Sequence, residues 1–148
     1  MKKKITWVIG LVLVSLSALA APPSSVAQLE SALEDAAMPV QTAEYKAKLQ
    51  EKTNDYSMQM LGHTNNDDFS YVGEAYAKAY EEGKKACDDW MVGKSVKVKA
   101  AAIVYCSMWR STLQANAEAD ANYEDFASTP AGAQFVRAQA ELEAAADE

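Results

Sequence analysis

The chain has 148 residues, with 14 Lys and Arg against 21 Asp and Glu, two cysteines and one histidine. A net charge of −7 argues against nucleic acid and anionic lipid head groups as partners, since both repel an acidic surface. The length supports one modest domain with one core. Abundant Ala, with no proline between residues 40 and 129, favours an all-α fold.

Met1-Lys2-Lys3-Lys4 precedes an uncharged apolar run from Ile5 to Ala20 that closes on Ala18-Leu19-Ala20. A basic start, an apolar stretch and a small-x-small end describe a bacterial Sec-type signal peptide, with cleavage expected after Ala20. The run is shorter than the roughly 20 residues a spanning helix needs, and Ala21 rather than a lipid-accepting Cys follows it. Residues 1–20 are therefore read as the signal peptide. Residues 21–148 are read as one helical domain, periplasmic or secreted, with no stable membrane anchor. Cleavage would remove three of the 14 basic residues and no acid, leaving 11 against 21, a net −10.

Residues 21–25 read as an extended leader. Ser25-Val26-Ala27-Gln28 is a capping box opening a first helix whose apolar side carries Val26, Leu29, Leu33, Ala36 and Ala37. Pro39 is expected to end it. A second helix is expected from about Thr42 to Leu61, with Tyr45, Leu49, Tyr56 and Met60 on one face. Gly62 to Asp68 is a loop by composition.

The clearest pattern follows. Val72, Ala75, Tyr76, Ala79, Tyr80, Gly83, Ala86, Cys87, Trp90 and Met91 recur at helical spacing. The intervening positions are almost wholly charged, and Glu74–Lys78 and Glu81–Lys85 stand at ion-pair spacing. Within the apolar face Ala75, Ala79, Gly83 and Cys87 form a small-residue row that would let a neighbouring helix approach closely. After a connection at Gly93–Lys99, a helix begins around Val98–Ala100. It is apolar nearly all round to Trp109, as expected in the middle of a bundle. Thr129-Pro130 supplies an N-cap and a first-turn proline for a last helix with Phe135, Ala138 and Leu142, fading into a flexible acidic tail at 143–148. The expected fold is an up-and-down bundle of four to five helices.

Cys87 and Cys106 are equidistant from the turn near residues 96–97, so an antiparallel helical hairpin brings them face to face. An even cysteine count in an oxidising compartment points to a disulfide, worth about 3 kcal/mol for a loop of this size. Their separation excludes a Cys-x-x-Cys redox pair, and two Cys with one His are too few for a zinc site.

No catalytic set emerges. His63 with Asp67 and Asp68 supplies too few ligands for a metal, and Asn65 to Asp68 lacks the order of a calcium loop. The acid pairs Glu81/Glu82 and Asp88/Asp89 sit on a charged face, where nothing would desolvate them. There is neither a Gly-x-Ser-x-Gly elbow nor a phosphate-binding glycine loop. No cofactor or metal is expected. Tyr71, Tyr76, Tyr80, Trp90 and Trp109 lie at helical spacing, where aromatics are more often core. With Phe69 and His63 they are also the candidate partner-binding residues, because Tyr and Trp anchor interfaces well. The sequence thus suggests a non-enzymatic exported protein acting by contact with a protein partner. An acid- or stress-responsive periplasmic chaperone and a small-molecule or metal carrier are the alternatives.

Overall fold

The computed structural model describes residues 25–63 and 68–147. The expected signal peptide, most of the expected leader, residues 64–67 of the expected loop and the last residue of the acidic tail lie outside them. Among the described residues the protein is all-α, without strands. Helix α1 runs over Val26–Leu61, α2 over Ser70–Met91, α3 over Val96–Ala121 and α4 over Pro130–Ala146, with a 3₁₀ turn at Phe126–Ser128 before α4.

The capping box forms as expected. The Ser25 hydroxyl accepts from the Gln28 backbone N–H at 3.2 Å, and the Ser25 N–H donates to the Gln28 side chain at 3.1 Å. Pro39, however, does not end the first helix: it lies inside α1, so the two expected helices are one. The physical reason is position. Pro39 and Asp35 are both exposed, so the Asp35 carbonyl that loses its helical partner faces water. On the adjoining inward side Leu33, Ala36, Ala37, Val40 and Ala43 are buried and carry the helix through. The far end differs in the same sense, because α4 remains helical to Ala146 where a flexible tail was expected from residue 143.

Three long-range hydrogen bonds fix the levels of the helices. Trp90 Nε1 donates to the Ser25 carbonyl at 3.0 Å, so α2 ends beside the start of α1. Tyr71 donates to the Gln50 side chain at 3.1 Å, so α2 starts level with Gln50. Lys48 donates to the Ala121 carbonyl at 3.2 Å, so α3 ends at that level too. Residues 51–61 of α1 therefore run on past the ends of α2 and α3, for about 16 Å at 1.5 Å per residue.

The core contains Leu29, Leu33, Val40, Trp90, Tyr105, Trp109, Leu113 and Leu142. Cys87 and Cys106 form a disulfide with their Cα atoms 6.4 Å apart. At Gly83, within the small-residue row, the close neighbour is an indole rather than a helix backbone: a Cβ there would collide with the Trp109 ring carbons Cζ3 and Cη2. Two other expectations change. Helix α3 is not surrounded, since Ile103 is 57% and Val104 46% exposed. The surface ion pairs of α2 also run from lysine forward, as Lys78–Glu82, Lys84–Asp88 and Lys85–Asp89.

Candidate functional site: a solvent-facing apolar stripe on helix α1

Successive residues of a helix are 100° apart, which places the side chains of α1 on definite faces. Leu29, Leu33, Ala36, Val40, Ala43, Ala47 and Asn54 share the inward side, and all are buried. Met38, Tyr45, Leu49, Tyr56 and Met60 fall within an arc of roughly 60° on the opposite side. Their exposures are 58, 42, 47, 64 and 64%. Helix α1 thus carries two apolar stripes back to back, and its neighbours cover only one. The face expected to be the apolar side of the 42–61 segment points to solvent; the buried side carries small residues instead, Ala43, Ala47 and Ser57.

The outer stripe has a defined surround. Lys46, Lys48 and Lys52 flank it, and across residues 41–61 they balance Glu44, Glu51 and Asp55. This stretch is neutral in a chain whose acidic excess lies elsewhere. Tyr123 packs edge-on against Tyr45, ring centroids 6.5 Å apart. Beside Met38 and Thr42, an open hollow of about 470 Å³ lies between α1 and α2, bounded by Pro39, Ala43, Tyr71 and Ala75, with Asp35 and Lys46 at its polar edge. The Lys46 ammonium lies 4.2 Å from the centre of the Tyr71 ring.

The aromatic set singled out from sequence does not form one face. Trp90 is 1% and Trp109 8% exposed, so both indoles are committed to the core and present no binding surface. Tyr76 is half-buried and donates to Glu44 at 2.7 Å; burial first, then that carboxylate, pushes its pKa far up. Tyr80 is half-buried beneath the Arg110 guanidinium, 4.8 Å from the ring centre. Phe69 is half-buried at the start of α2, while His63 is exposed just past the end of α1. Tyr71 alone joins the stripe, through the hollow. Sequence reasoning missed Met38 altogether, and it named Tyr45, Leu49, Tyr56 and Met60 without seeing that they face outward. Two apolar stripes on opposite sides of one helix were the available signal.

A second cluster lies where α1, α3 and α4 meet. Glu30 has a buried Oε1 with no hydrogen-bond partner, and Glu143 and Glu34 are close enough to act on its charge. Desolvation, reinforced by Glu143, raises its pKa to about 6. The Tyr105 phenol is pushed upward by burial and then by the same three carboxylates. Among the described residues no group of three or more His, Cys, Asp or Glu is placed to hold a metal ion, and no helix is long and apolar enough to cross a membrane.

No protein-family model, curated protein or solved structure matches this chain.

Proposed function

We propose that this is an exported, non-enzymatic helical protein, periplasmic or secreted, that works through protein–protein contact at the outer face of α1. The observation that carries the proposal is the second stripe: five large apolar side chains in line on the solvent side of a helix whose other side already fills the core. Their combined exposed surface, on the order of 500 Å², sits in the upper part of the range for the largest apolar patch of a monomer, and such patches mark interaction sites. The disulfide agrees with an oxidising compartment, as does the basic-then-apolar start of the sequence. It also holds α2 and α3 together as a rigid support for α1.

The test is affinity capture from the exported fractions of the native host, with the wild-type protein beside a Leu49→Glu/Tyr56→Glu variant. A stoichiometric partner retained by the wild type and lost by the variant supports the proposal. Equal capture by both places the contact elsewhere and contradicts it.

A further inference from the structure

Resting on the reading of this stripe as a docking face, we infer that its occupant is a second copy of the same helix, packed antiparallel about a two-fold axis. Met38, Tyr45, Leu49 and Tyr56 follow the spacing of a coiled-coil seam. Setting Tyr45 of one copy against Tyr56 of the other fixes the register, and three consequences of that register fit the molecule.

The first is charge. Lys48 stays with the Ala121 carbonyl and the Asn122 side chain of its own chain and takes no part in the contact. Leu49 meets the aliphatic stem of Lys52, whose ammonium can remain in water. The segment is neutral, so the repulsion between two acidic proteins is weakest along this line.

The second is space. The two-fold axis falls between Gln50 and Glu51, the level at which α2 starts and α3 has just ended. The two bundles would then lie end to end. Each projecting arm, residues 51–61, rests on the 41–50 stretch of the other copy. Met60 of the second copy arrives beside Gln41 and Thr42, at the rim of the hollow lined by Met38, Pro39 and Tyr71, where a flexible, unbranched side chain suits an irregular gap.

The third is area. About 500 Å² from each copy gives a total of about 1,000 Å², near the lower bound for a specific interface. The dimer is therefore expected to be weak, with a micromolar dissociation constant.

Sedimentation equilibrium of the exported protein across the micromolar range tests this. The wild type should dimerise. Leu49→Glu and Tyr56→Glu should each weaken the dimer at least tenfold, with helicity by circular dichroism confirming that the variants fold. A monomer at every concentration overturns the inference but leaves capture of a different partner at the stripe standing as a separate result. A dimer indifferent to Leu49→Glu also overturns it.

Discussion

Replacing Glu30 by Gln should make the protein more stable at neutral pH and leave it unchanged in acid. The Glu30 carboxyl has an ordinary pKa of 4.5 and one of about 6 in the folded protein, because it is partly desolvated and faces Glu143 and Glu34 without a cation among the groups acting on it. A shift of that size corresponds to at most about 2 kcal/mol. The sign follows from proton binding: between pH 4.5 and 6 the folded state holds more protons than the unfolded one, so stability falls as pH rises through this window. Below it Glu30 is protonated in both states and imposes no penalty; above it the penalty is complete. Glutamine keeps the shape without the charge, so urea unfolding of wild type and Glu30→Gln should give similar free energies at pH 4. The curves should diverge between pH 4.5 and 6, with the variant ahead by up to about 2 kcal/mol at pH 7. Parallel curves across the whole range would refute the argument.

Gly83→Ala should destabilise by about 1–3 kcal/mol, because the added methyl overlaps the Trp109 ring; thermal unfolding and near-ultraviolet circular dichroism of the displaced indole would report it. Reducing the Cys87–Cys106 bridge, or replacing both cysteines by Ser, should cost about 3 kcal/mol in denaturant unfolding, while far-ultraviolet circular dichroism stays strongly helical. Pro39→Ala should stabilise by about 2 kcal/mol, since it restores one hydrogen bond inside α1 against a smaller loss in unfolded-chain stiffness; a lower melting temperature would show that the proline is required by the packing around it.

The helical class, the disulfide and the caps at Ser25 and Thr129 were legible because each is a local rule or an approximate symmetry argument. The Cys87–Cys106 bridge forms as expected, but the connection lies at residues 92–95 and residues 96–97 already belong to α3, so the two cysteines are not equidistant from the turn as the symmetry argument assumed. Pro39 misled because proline's cost depends on whether the freed carbonyl meets water, a fact of burial that no single position carries. The outward stripe misled for a related reason. Hydrophobic spacing finds the largest apolar side chains, Tyr45, Leu49, Tyr56 and Met60, and assigns them inward. Close packing selects small ones, so the true inner face reads weakly as Ala43, Ala47 and Ser57. The same confusion made α3 look enclosed. Trp90 and Trp109 illustrate the reverse error: as aromatics they suggested interface anchors, yet their indoles supply much of the core.

The claim that the outer stripe of α1 is where this protein meets other proteins is tested most directly by photo-crosslinking in the intact host. A photoreactive phenylalanine would be placed in turn at Met38, Leu49, Tyr56 and Met60, and at Glu81 on the exposed charged face of α2. The account predicts protein adducts from the α1 positions and none from Glu81. Adducts spread evenly over both faces, or absent from the stripe, would contradict it.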